Sequence, residues 1–234
     1  KRKRKRKRKR KGVMADSDTQ KPITLKGSVS IVKEFFAYAV NSILFQRGIY
    51  PSEFFEVKKK YGLPMMVTTD PGLRTYVSQI LKFVEKWLGS KDIQKLIMVV
   101  QSVETKEIVE RWAFNINLVK QAGENAGEGE AGENSNPNPN NKQTGTSEAQ
   151  ICKEIREMMK QICASVTFLP LLEEECTFDI LVYTNVDTAV PTQWETSDPR
   201  YIDNPEHVKF RSFSTSIHKV EPIVAYREQG MMDY

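Results

Sequence analysis

Few side chains in this sequence are equipped for chemistry. Two histidines, His207 and His218, each have a carboxylate nearby, Glu206 and Glu221. An imidazole oriented by a carboxylate can act as a general base. Both histidines fall in segments predicted as strands, where the geometry turns neither neighbour into a dyad partner, so they read as structural or surface residues. Three cysteines, Cys152, Cys163 and Cys176, stand 11 and 13 residues apart. That spacing offers no CxxC pair, no zinc-type ligand cluster and no even disulfide framework, and it suits a reducing compartment. The glycines at 123, 127, 129 and 132 are separated by Glu, Ala and Asn. No apolar strand leads into them and no helix follows, so they read as linker and not as a phosphate cradle. The sequence points away from catalysis, cofactors and metals.

Charge is distributed unevenly. The formal net charge is +5, but residues 1–11 read KRKRKRKRKRK; 35 basic residues less those 11 leave 24 against 30 acidic, or −6. The rest of the chain is therefore acidic. A basic repeat can bind nucleic acid, serve nuclear import or touch anionic lipid; an added or misassigned extension is the other reading. Aromatic residues elsewhere follow core periodicities and are not interleaved with basic ones as stacking platforms require. Nucleic-acid binding would thus fall to the tail alone, weakly specific and strongly salt-dependent. The longest unbroken apolar run, 35–40, is far short of the ~20 residues of a membrane span, and no membrane partner is expected.

These residues must be positioned by a modest set of elements. Residues 1–21 are charged and nearly devoid of apolar side chains, a composition that predicts disorder. Ser28 is a candidate cap for a first helix ending at Gly48 and Pro51. Ile31/Val32, Phe35/Phe36, Ala39/Val40 and Ile43/Leu44 give it two adjacent apolar columns. Residues 50–67 are less periodic, with Phe54, Phe55, Val57, Tyr61, Leu63 and Met65 as candidate anchors. Asp70-Pro71 starts a second helix that Gly89 should end. Residues 93–103 and 108–118 predict a hairpin turning at 104–107, and 122–150 reads as a flexible low-complexity loop. Ile151, Ile155, Met158/Met159 and Ile162 mark a third helix, and 177–184 is a strand. Residues 185–206 are irregular, and 207–227 have β character. The fold class is α+β, with helices on a largely antiparallel sheet, in one domain over 22–234.

Five strings then acquire meaning together: FQRGIYP at 45–51, VTTD at 67–70, ERW at 110–112, SVTFLPLL at 165–172 and FRSFSTSIHKV at 210–220. In this order and spacing they resemble the HORMA domains of the spindle assembly checkpoint family, the mitotic arrest deficient two type, over about 23–227. Family proteins begin near Met14, so 1–13 lie outside the resemblance. The family implies a non-enzymatic switch in which a mobile C-terminal segment, here 186–234, acts as a safety belt. In an open state the belt occupies the sheet edge. In a closed state it crosses the domain and encircles a peptide that adds as a strand.

The resemblance assigns residues as well. The peptide edge is Phe178, Asp179, Ile180, Leu181, Val182 and Tyr183. The belt carries Trp194, Phe210, Phe213, Ile217, His218, Val220 and Tyr226. A self-dimer or regulator face comprises Lys160, Gln161, Phe168 and Arg211, with Lys160 standing where the family has arginine. Implied partners are a kinetochore scaffold of the mitotic arrest deficient one type and an anaphase-promoting-complex activator of the cell-division-cycle twenty type. An open/closed self-dimer, a comet-type adaptor and an AAA+ remodelling ATPase are implied too. The implied locations are nucleus, kinetochore and cytoplasm. The alternatives are a HORMA adaptor in translesion synthesis or meiosis, or a nucleic-acid binder acting through the basic tail.

Overall fold

A computed structural model describes residues 23–119 and 147–227. The predicted basic extension and most of the predicted 122–150 loop lie outside the described residues. The last four residues of that loop, 147–150, instead begin a helix: Ser147 caps it by accepting the Gln150 N–H at 3.2 Å.

Three helices pack on one face of a sheet. The first, α1 (Leu25–Gln46), starts earlier than the sequence suggested: the Thr24 side chain, not Ser28, accepts the Gly27 N–H. It ends as expected. Gly48 takes φ +63, Gly48 N–H bonds Phe45 O and Ile49 N–H bonds Leu44 O, which closes the helix in a Schellman motif. By length and composition α1 could cross a membrane. Its apolar columns are occupied within the domain instead, with Val32, Phe35, Phe36, Ile43 and Leu44 all fully buried. The second helix, α2 (Pro71–Ser90), is capped by Asp70, which accepts the Leu73 N–H at 2.6 Å. It ends at Lys91 in the left-handed region, φ 64, and not at Gly89. The third, α3 (Glu148–Ala164), buries Ile151, Ile155, Met158, Met159 and Ile162.

Residues 50–67, expected only as loose anchoring, form a hairpin of β1 (Phe55–Lys60) and β2 (Leu63–Thr68). Tyr61 and Gly62 both have positive φ at its turn, the geometry that matches strand twist in two-residue hairpins. Phe55 and Met65 are buried, whereas Phe54 and Val57 are exposed. Asn41 of α1 holds the hairpin by accepting the Thr68 N–H at 2.8 Å.

The main sheet is antiparallel throughout. It contains β3 (Ile93–Ser102), β4 (Ile108–Leu118), β5 (Cys176–Thr184), β6 (Glu206–Lys209) and β8 (His218–Tyr226), in the order β5-β3-β4-β8-β6, with β7 (Phe213–Ser214) also pairing β8. Leu96–Val100 has no exposed residue, matching a strand covered on both faces. The C-terminal β segment is not a peripheral hairpin, because β8 lies inside the sheet between β4 and β6. Pro222 is tolerated there because it falls between the stretch paired with β6 and the stretch paired with β7.

Contacts between the recognised strings hold the core together. Arg47 of FQRGIYP and Glu110 of ERW form an ion pair at 2.6 Å with side chains about 2% exposed. The second Glu110 oxygen accepts the Trp112 indole N–H at 2.9 Å, and Arg47 also donates to the Pro170 carbonyl of SVTFLPLL. Burial pushes the Glu110 carboxyl up, and the Arg47 charge and the Trp112 bond oppose the push.

Candidate functional site

Sheet order leaves β5 with an outer edge that no strand pairs among the described residues. Alternation divides its side chains. Phe178 and Ile180 face the helices and belong to the core; Asp179, Leu181 and Tyr183 face away. The open stretch along 179–184 is about 20 Å long at ~3.4 Å per residue.

This edge is enclosed rather than bare. Residues 185–205 leave β5 and reach β6 at the opposite end of the sheet. The segment is tied at its start, where Asn185 N–H bonds Asp92 O at 2.8 Å and Gln94 donates to the Asn185 side chain at 2.9 Å. Trp194 then docks on α2, with ring centroids 5.9 Å from Phe83 and 5.2 Å from Trp87. Further on, the segment lies against the face away from the helices. There Arg200 pairs with Asp179, Arg111 donates to Pro199 O at 3.4 Å, and the Arg111 guanidinium sits 4.9 Å from the Tyr201 ring centroid. Its passage accounts for Ile97 and Val99, which alternation turns away from the helices yet which are fully buried.

The result is a slot of about 900 Å³ between the β5 edge, α2 and the crossing segment. Tyr76, Ile80, Phe83 and Trp87 of α2 form one wall and Trp194 another. Glu195 and Asp198 of the crossing segment supply carboxylates and make no ion pair among the described residues. The Tyr76 hydroxyl is pushed up by burial and by the Asp179 charge, with the Ile180 backbone opposing. An enclosed strand edge with aromatic walls and spare negative charge can accept an extended peptide. Backbone groups would hold any sequence, and the walls would select among side chains.

The residues named from the sequence separate into three groups. Asp179, Ile180, Leu181, Val182, Tyr183 and Trp194 line the slot, while Phe178 lies in the core and packs on Tyr76 at 5.6 Å. The remaining belt residues do not line it. Phe210 stacks on Trp112 at 5.7 Å and Phe213 meets Phe35 at 5.0 Å. His218 and Val220 are buried, and Ile217 and Tyr226 are half-buried in the region of β8. Lys160, Gln161, Phe168 and Arg211 lie at α3 and the segments against it. Gln161 accepts the Arg211 N–H at 2.7 Å, Lys160 pairs with Glu157 at 2.8 Å, and Phe168 is 44% exposed. Sequence reasoning did not assign Tyr76, Phe83, Trp87 or Arg200 to the site. The Tyr76–Phe83–Trp87 column on α2, wider than a core stripe needs, was the available signal; nothing in the sequence marked Arg200.

Comparison with known proteins agrees with this architecture. The HORMA domain family matches residues 28–218. The mitotic spindle assembly checkpoint protein MAD2A of Dictyostelium discoideum is 50% identical over 205 residues, 88% of this chain and 93% of that protein. The human MAD2A protein is 45% identical over 208 residues, 89% and 94% of the two chains. A solved chain from a crystal structure of the mitotic checkpoint complex superposes with a TM-score of 0.74 at 46% identity, covering 86% of this chain and 99% of that one. The chain therefore belongs to the HORMA-domain family and, within it, to the MAD2 group of spindle assembly checkpoint proteins.

Proposed function

We propose that this checkpoint protein works by entrapping a peptide along the outer edge of β5, under the segment 185–205. The observation that carries the reading is the enclosure of a free strand edge by a chain tied down on both sides of it, at Trp194 and at Arg200. In the scheme implied by the family, the C-terminal strands lie across the sheet from β5 in the closed state. The pairing of β8 with β4 supports reading the described arrangement as that state. An open state would have to move β8, β7 and β6, and so break a central strand pairing; conversion between the two is accordingly slow.

The peptides proposed are those of the kinetochore scaffold and of the anaphase-promoting-complex activator, so that capture delays anaphase. Action at the kinetochore, with populations in nucleus and cytoplasm, follows from those partners. The face of Lys160, Phe168 and Arg211 is proposed for self-dimerisation and for adaptor binding, with remodelling by an AAA+ ATPase. The basic tail has no part in capture. Calorimetry with the scaffold and activator peptides tests the reading, using incubation for hours and the full chain. Tight, slowly reversible binding that weakens in Trp194→Ala and persists after removal of residues 1–11 is the expected result. Absence of binding by a folded sample overturns it.

A further inference from the structure

The crossing segment touches the domain on both sides of the slot, and the two attachments differ in kind. On the helix side Trp194 is held by aromatic packing. On the other side the only ion pair between this segment and the slot's own strand, among the described residues, is Arg200 with Asp179. Arg200 is also one of two residues of the segment, with Asn204, whose backbone is turned into the left-handed region, at φ 49, which is unfavourable for a side chain of its type. The corner is held by its neighbours, since Arg111 bonds Pro199 O and covers the Tyr201 ring. The turn thus aims the Arg200 guanidinium back across the slot's rim at Asp179.

We infer that the Arg200–Asp179 pair is a clasp that sets how long a captured peptide stays in the slot; the inference rests on the peptide reading above. For a peptide lying beside 179–184 to leave sideways, residues 195–199 must lift, and the clasp is the contact that resists lifting on the face away from the helices. Its side chains are 31% and 47% exposed. It is therefore screened by salt and modest in strength, and works as a rate-setting latch and not as a main source of affinity. Arg200 is a positioning residue in this scheme: it acts on the strap that retains the peptide.

The test is the release rate of the scaffold peptide from the preformed complex of the full chain, followed by displacement with unlabelled peptide. Arg200→Gln and Asp179→Asn should each speed release about two- to fivefold, with no further gain when combined. The swap of Asp179→Arg with Arg200→Asp should bring the rate back, since aspartate tolerates the left-handed turn. Release from the original protein should quicken with salt, and release from the single variants should not. Hydrogen exchange at 196–203, measured without peptide, should be faster in both single variants. Peptide bound normally with release and exchange unchanged in the variants overturns the clasp and leaves the peptide reading intact. Failure of the original protein to bind overturns the peptide reading, while the exchange data still decide whether the pair holds the strap.

Discussion

Ser28 and His218, 190 positions apart, are joined by a buried hydrogen bond of 2.7 Å between the serine hydroxyl and Nδ1. Thr215 completes the cluster, 2.6 Å from Ser28 Oγ. The Thr215 oxygen already accepts the backbone N–H groups of Ile217 and His218. Its own proton is directed at the His218 carbonyl, 3.0 Å away, so the serine hydroxyl sits between the threonine oxygen and the imidazole and links the two. With Ser216 donating to Ile23 O at 2.7 Å, the start of the first helix is buttoned to the turn before the last strand. The first and last described elements are thus one structural unit.

That unit predicts a pH dependence. Burial holds His218 below its ordinary value of 6.5, and the Lys91 charge adds to the effect. Below about pH 6.5 the unfolded chain takes up a proton that the folded chain refuses. Stability is therefore complete above that pH and falls from there down to the lower folded value, by at most about 1.4 kcal/mol per pH unit. Urea unfolding at about pH 7.5 and 5.5 should show this loss, and His218→Gln should remove that component. An unchanged difference in the variant would show that His218 is not its source.

Arg47→Ala should be among the most destabilising single changes in the protein. It strands the buried Glu110 carboxylate and frees the Pro170 carbonyl, at a cost of roughly 3–5 kcal/mol. Glu110→Gln should cost less, because the amide oxygen still accepts from Trp112. Equilibrium unfolding of the two variants checks the order; a smaller loss for Arg47→Ala than for Glu110→Gln would contradict the pairing.

How far the sequence carries can be judged on these same residues. Apolar period placed α1, α2, α3, β3, β4 and β5, because each buries a continuous stripe that only one geometry can hide. The β1–β2 hairpin was missed: Lys58–Lys60 interrupt its alternation and its turn is Tyr-Gly, not the usual Asn-Gly. The strings FQRGIYP and ERW were legible as strings, but not as the two halves of one buried ion pair. Pairing across 63 residues has no periodic trace. The slot was half legible. Its strand announces itself, whereas Arg200 and the α2 wall depend on where an irregular segment crosses the sheet.

Trp194→Ala should weaken peptide capture without unfolding the domain. The indole contributes to a wall of the slot and anchors the strap on Phe83 and Trp87, the setting in which aromatic anchors carry about 2 kcal/mol or more, about 30-fold in affinity. The same comparison cannot be made by truncating 217–234. That deletion removes β8 from the sheet interior, and Val220 and Val224 from the core, so loss of binding would follow from loss of the fold. Calorimetry on Trp194→Ala, with circular dichroism to confirm folding, separates the two. Undiminished affinity would place the anchor elsewhere.

Lys160 gives a prediction on self-association. Its ammonium is engaged with Glu157 one turn back on α3, and the resemblance noted in the sequence expects a guanidinium in its place. Lysine offers a point charge without the planar fork that binds a carboxylate or carbonyl pair in two places. Lys160→Arg should therefore strengthen dimerisation, and Phe168→Ala, which removes an exposed ring from the same face, should weaken it. Gln161→Ala should behave differently from both. Gln161 accepts the Arg211 N–H, so its loss should speed hydrogen exchange at Arg211 even in the monomer. Sedimentation velocity over a concentration series, with exchange on the dilute protein, distinguishes an effect on the interface from an effect on the C-terminal segment. If Lys160→Arg leaves the association constant unchanged, this face is not where two copies meet.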